Sequence, residues 1–137
     1  MKILFFCRQW GQENIPWNIF VQEVKDAGYD GVESSLPLDV REKEDVTTEL
    51  AKQEIWSIRR HCETVTPYFD AHYKEFEMRL RSLATAKPLS INSRTGKDYY
   101  SFEQNRELIK LAKTVSTETG VAFVHETHRG KLSFAIY

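Results

Sequence analysis

The sequence predicts an α/β protein of five parallel strands joined by four crossover helices, and two observations carry that prediction. Short apolar runs rich in aromatic and branched residues alternate along the chain with amphipathic stretches of helical period. Glycine or proline punctuates most of the changes between the two. Strand, helix, strand in repetition implies parallel pairing with right-handed crossovers. No low-complexity segment interrupts the series, so residues 1–137 are expected to form a single (βα)4β domain.

Each element has its own justification. Residues 2–7 form the first apolar run and read as a strand buried on both faces. Pro16 opens the first helix, where its missing N–H is no loss, and Trp17, Phe20, Val21, Val24 and Ala27 share one face of it. Gly28 fits the position just past the helix end, and residues 29–34 form the second strand. Residues 42–52 make a weaker helix with Val46 and Leu50 on one side. Residues 55–62 are the third strand, unusually polar because of Ser57, Arg59 and Arg60. Residues 70–86 form the third helix, with Tyr73, Phe76, Leu80, Leu83 and Ala84 on its apolar face. Pro88 stops it, and residues 89–92 are a short fourth strand containing Ser90. Ser101 and Gln104 make a capping-box pair for the fourth helix, whose inner face carries Leu108, Leu111, Ala112 and Val115. Gly120 ends it, and residues 121–126 are the fifth strand. The tail, residues 132–137, alternates weakly and reads as a sixth short strand or a frayed end.

Two strand orders satisfy this pattern. The order 1-2-3-4-5 makes an arc, a little over half of an eight-stranded (β/α) barrel, with two open edges and an uncovered inner face that a homodimer would cover. The order 2-1-3-4-5 makes a doubly wound layer of the flavodoxin type. Cys7 and Cys62 end strands one and three, which are neighbours only in the second order, so ready formation of a disulfide would mark that layer.

Composition narrows the function. Nineteen basic against twenty acidic side chains leave a formal net charge of −1, which argues against nucleic acid or an anionic membrane as partner. The apolar run Ile3-Leu4-Phe5-Phe6-Cys7 is far shorter than the ~20 residues of a membrane span or the ~7–15 of a signal-peptide core. Two cysteines are too few for a disulfide framework or a zinc quartet, which points to a reduced, cytoplasmic-type protein.

Parallel sheets place their sites at the carboxyl ends of strands. Those positions hold Cys7, Arg8 and Gln9, then Glu33, then His61 and Glu63, then Asn92, Arg94 and Lys97, then His125, Glu126, His128 and Arg129. A glutamate with histidines on one rim suits a borderline divalent cation. Glu126 and His128 share a face if the fifth strand continues, with His125 pointing the other way. Against this stand plainer readings. Glu126 and His128 fit a solvated strand end equally well, His61 a hydrogen-bonded loop histidine, and Glu33 a surface or capping acid. Arg59 and Arg60 are expected to face solvent and His72 to lie on a helix surface, while Cys7 and Cys62 are expected to pack. The segment Ser93-Arg94-Thr95-Gly96-Lys97 is loosely like a phosphate-binding loop without its glycine spacing.

Several segments together resemble a known family. These are Met1-Lys2-Ile3-Leu4-Phe5-Phe6, Ala27-Gly28-Tyr29-Asp30-Gly31-Val32-Glu33, His61-Cys62, Asn92-Ser93 with Thr95-Gly96-Lys97-Asp98, and His125-Glu126-Thr127-His128-Arg129-Gly130. The chain resembles the N-terminal part of bacterial sugar isomerase/epimerase proteins of the xylose isomerase-like (β/α)-barrel superfamily. The resemblance implies a divalent metal (manganese, cobalt, zinc or magnesium) at the carboxyl rim and a carboxylate pair that moves a proton beside a carbonyl. Glu126 would be the first metal ligand, with His128 beside it, and Glu33, His61, Asn92 and Lys97 would face the sugar. The family's other ligands lie on strands six to eight, which these residues do not include, and a catalytic zinc wants at least three protein ligands.

Combined with the polar Ser57, Arg59, Arg60 and Ser90, this leads to the expectation of an engineered or evolved barrel fragment. Such a fragment would fold and self-associate without catalysis or cofactor. The alternative is a metal-dependent isomerase or epimerase completed across a homodimer. A further possibility is an anion-binding module in the flavodoxin-like arrangement, using Arg8, Arg59 or Arg94.

Overall fold

A computed structural model describes residues 1–134. The strands hydrogen-bond in the order β1-β2-β3-β4-β5, which excludes the doubly wound 2-1-3-4-5 layer. β2 separates β1 from β3, so the neighbouring strand ends that the Cys7–Cys62 disulfide argument required do not occur. Both cysteines are half-buried. The chain packs as two compact units, Met1–Arg60 and the residues from His61 onward.

The first unit holds β1 (Phe6–Arg8), α1 (Trp17–Asp26), β2 (Gly31–Ser34), α2 (Val40–Lys52) and nearly all of β3 (Trp56–His61). β1 is shorter and wetter than the sequence predicts, since Ile3 is 61% and Phe5 63% exposed. The backbone before it is tied down instead by Asp30, whose carboxylate accepts from Phe5 N–H at 2.9 Å. Pro16 serves as the N-cap of α1 and not its first residue, and Gly28 follows the C-cap at φ +80°. α2 starts earlier than the periodicity suggests, because the Asp39 side chain accepts from Glu42 N–H at 2.9 Å and so caps it. Phe20, Val21 and Val24 of α1 are buried, as are Val46 and Leu50 of α2 and Val32 of β2. Each such side chain contributes about 1.5–3 kcal/mol on burial. β2 and β3 pair in parallel with Val32 opposite Ser57, Glu33 opposite Ile58 and Ser34 opposite Arg59. Gly31 is required here: a Cβ would stand 2.2 Å from the Phe6 ring and 2.8 Å from the Trp56 carbonyl.

The second unit holds α3 (Phe69–Ala84), β4 (Ser90–Ser93), α4 (Phe102–Thr119), β5 (Ala122–His125) and a single 3-10 turn, Leu132–Phe134. That turn takes the place of the strand or frayed end expected for the tail, and residues 135–137 lie outside the described residues. α3 packs on β4 and against α4, which packs on β5. Phe76, Leu80, Leu83, Ile91, Leu108, Ala112 and Val115 make the core. Ser101 and Gln104 form the capping box in both directions, and Gly120 closes α4 at φ +72°. β4 and β5 are parallel, with Ile91 opposite Phe123, Asn92 opposite Val124 and Ser93 opposite His125.

Candidate functional site

The carboxyl ends of β4 and β5 carry the densest polar chemistry. The shared register sets Ser93 beside His125, and Glu126 N–H donates to the Ser93 carbonyl at 2.9 Å. Asn92 lies inside β4 and His125 inside β5, so neither follows its strand as the sequence suggested. β5 stops at His125, and the strand continuation that would have put Glu126 and His128 on one face is absent.

Glu126 is half-buried, and its carboxylate is already answered. The Asn92 amide donates to Oε2 at 3.3 Å and Arg94 Nε to Oε1 at 3.3 Å. His128 sits in the loop beyond, with Nδ1 2.7 Å from the Arg129 carbonyl, to which it donates. Its backbone N–H donates to Ser133 Oγ at 3.2 Å. Among the described residues no group of three His, Cys, Asp or Glu side chains gathers in a way that could hold a metal ion. A guanidinium and an amide, both donors, occupy the oxygens a cation would use. These residues do not fit a resident divalent ion.

His61 is 1% exposed and bonded on both ring nitrogens, Nδ1 to Ser93 Oγ at 3.0 Å and Nε2 to Thr64 Oγ1 at 2.8 Å. Thr95 extends the chain, with its hydroxyl 2.9 Å from Ser93 Oγ and 2.7 Å from His125 Nδ1. The Phe76 ring lies edge-on at 5.1 Å. Burial above all, then the nearby charges of Lys131, His72 and Arg79, pushes the His61 imidazolium down to about 3. His61 therefore holds the ends of β3 and β4 as a neutral hydrogen-bonding group.

His72 is 1% exposed, not on the helix surface where its charged neighbours pointed. Its Nδ1 donates to the Thr66 carbonyl at 3.0 Å, and the ring stacks on Phe76 and meets Tyr100 edge-on. Lys97 and Lys131 lie on neighbouring loops, joined where Leu132 N–H donates to the Thr95 carbonyl at 3.1 Å. Burial first, and Lys97 second, pushes Lys131 down to about 8. Sequence reasoning missed Lys131, Thr64, Ser93 and Thr95 as polar partners. Hydroxyl residues leave no periodic trace, and only the closeness of Lys131 to the His125–Gly130 motif could have raised it.

In the first unit, Glu33 is half-buried and pairs with Arg8 at 2.6 Å, as their opposition in the β1–β2 register allows. Arg59 is fully buried, against the expectation that it faces solvent. Ser34 accepts from its Nη1 at 2.7 Å, while Nε and Nη2 have no partner among the described residues. Burial pushes Arg59 down to about 10.

No protein-family model matches the chain, and no curated protein does. Solved structures do. One is the 3-keto-D-glucoside 4-epimerase YcjR from E. coli in its apo form, with TM-score 0.70 and 14% identity, covering 95% of this chain and 58% of that one. The fold is that of a (β/α) barrel through its fifth strand. Another is the probable 3-DHS dehydratase AsbF, involved in petrobactin synthesis, from Bacillus anthracis, with TM-score 0.62 and 13% identity. It covers 96% of this chain and 54% of that one. The chain thus spans little more than half the length of the barrel proteins it matches, at identities that establish architecture alone.

Proposed function

We propose that the chain is a barrel-derived module that works by associating with a second copy and not by metal-dependent sugar chemistry of its own. The observation that carries this reading is the Glu126 carboxylate. The position that the family resemblance assigns to a metal ligand is held at 3.3 Å by both Arg94 and Asn92. Charge and hydrogen-bonding capacity are satisfied without a cation, and displacing a half-buried guanidinium would cost the metal much of its affinity.

The polar residues in the strands support a segment adapted to stand apart from a full barrel. Ser57, Arg60 and Ser90 are half-buried at positions where a parallel strand is ordinarily apolar. β1 and β5 are edge strands of the sheet, with Phe5 63% and Val124 49% exposed beside or on them. A homodimer would cover such edges. A chain with only two cysteines, both half-buried, suits a reducing, cytoplasmic setting.

The second reading is a metal-dependent sugar isomerase or epimerase completed across that dimer. It is favoured by the placement of Glu126 just past β5, where barrel enzymes carry their chemistry. Calorimetric titration with manganese, cobalt and zinc separates the two. The module reading predicts no site-specific heat from any of them. Micromolar binding that Glu126→Gln abolishes would establish the second reading instead.

A further inference from the structure

β5 is an edge strand, and the hydrogen bonds on its paired side define what its open side offers. Glu126 N–H donates to the Ser93 carbonyl at 2.9 Å, and the register sets Asn92 opposite Val124. In a parallel ladder alternate residues bond the same neighbour, so Ala122, Val124 and Glu126 turn their backbone groups toward β4. Phe123 and His125 turn theirs the other way, where the sheet order places no further strand. Among the described residues the N–H and C=O groups of these two have no backbone partner. Val121, next in the same row, is already engaged. Its carbonyl accepts from Ser116 Oγ at 2.7 Å, and its N–H donates to Thr119 Oγ1 at 3.4 Å.

This edge is unguarded. The run Ala122-Phe123-Val124-His125 holds no proline and no permanently charged side chain, the devices that blunt an open strand. β1, at the other edge, has only three residues and ends in the exposed Arg8. Val124 is 49% exposed, and alternation puts it on the opposite sheet face from Phe123 and His125.

We infer that two copies of the chain pair their β5 strands antiparallel, about a two-fold axis that passes through Val124. The inference rests on the association reading above and adds the surface, the orientation and the register. A two-fold axis at a strand edge sets each strand against its own copy, running the opposite way. With Val124 opposite the partner's Val124, Phe123 faces the partner's His125 and His125 the partner's Phe123. Each of these pairs exchanges two hydrogen bonds, so every open group of both strands is satisfied. Centring the axis on Phe123 would set His125 against the partner's Val121, whose groups Ser116 and Thr119 already hold. Centring it on His125 would set Phe123 against the partner's Thr127, beyond the strand end. Val124 then forms the non-hydrogen-bonded pair, where side chains approach closest, and the two exposed valines cover one another.

The test is disulfide trapping of Val124→Cys under mild oxidation, with the cross-linked peptide identified by mass. The parent, which has Cys7 and Cys62, is the control for background oxidation. A non-hydrogen-bonded pair brings Cα atoms to about 4.5 Å, within the range of a disulfide. Val124→Cys should therefore cross-link to its copy through the substituted position. Ala122→Cys should not, because its two copies would lie roughly 13 Å apart along the strands. Val124→Lys puts like charges on the axis and should weaken the dimer about tenfold or more in light scattering over a dilution series. Diluted to single chains, Val124→Lys should melt as the parent does, since the position is half exposed. A parent dimer in which Val124→Cys fails to cross-link would overturn this interface and leave the association reading standing. Cross-linking of Ala122→Cys to its copy, or undiminished dimerisation of Val124→Lys, would do the same. A single chain's mass for the parent at every concentration would overturn both.

Discussion

The buried His61 makes the protein acid-sensitive in a predictable sense. In the folded chain it titrates near 3, against an ordinary 6.5. Between those values the unfolded chain holds a proton that the folded chain refuses, so stability is full above about pH 6.5 and falls as pH drops toward 3. The slope from one such group is at most about 1.4 kcal/mol per pH unit, and His72 and His125 are shifted in the same direction. Urea midpoints at pH 7 and pH 5 should differ clearly in the parent and less in His61→Gln; equal differences would contradict this account of His61. Arg59 gives the second prediction at this scale. A buried guanidinium with two nitrogens unpartnered among the described residues is a liability, so Arg59→Met should be neutral or stabilising by up to about 2 kcal/mol in urea unfolding. A loss of that size would show that the cation is needed. Neither environment was legible in the sequence. Arg59 and His72 sit among charges along the chain and are buried only through contacts made in three dimensions. The rim position of Glu126 was legible, but its partner Arg94, thirty-two residues earlier, was not.

Elements were legible where their signals are local. The capping box of α4, the αL glycine behind it and the apolar face of α1 each depend on residues within a turn or two, and they formed as expected except that Ala27 ends exposed at the C-cap of α1. Ser101→Ala should cost about 1 kcal/mol in thermal or urea unfolding, as the loss of an N-cap acceptor does. Strand limits were less legible, because a strand exists only where a partner hydrogen-bonds it. Residues 2–5 are as apolar as those that follow, yet β1 begins at Phe6, where the β2 register starts opposite Gly31. Gly31 is a tight point in that pairing. Gly31→Ala should destabilise by about 1–3 kcal/mol or more, since the new methyl meets the Trp56 backbone as well as the Phe6 ring. A variant as stable as the parent would mean that β1 and β2 part easily.

For the molecule as a whole, hydrophobic periodicity established that the strands are parallel but not their order, because both candidate orders bury the same residues. The observed order, with β1 and β5 at the edges, distinguishes a barrel-type sheet from a doubly wound one. It is also the basis for expecting association. Exposed strand edges are templates for pairing, and Phe5 and Val124 add apolar surface to them. The most direct test is the solution mass from light scattering coupled to size exclusion, measured over a range of protein concentrations. The account predicts the mass of a dimer, falling toward that of one chain only on dilution. A single chain's mass at every concentration would contradict it.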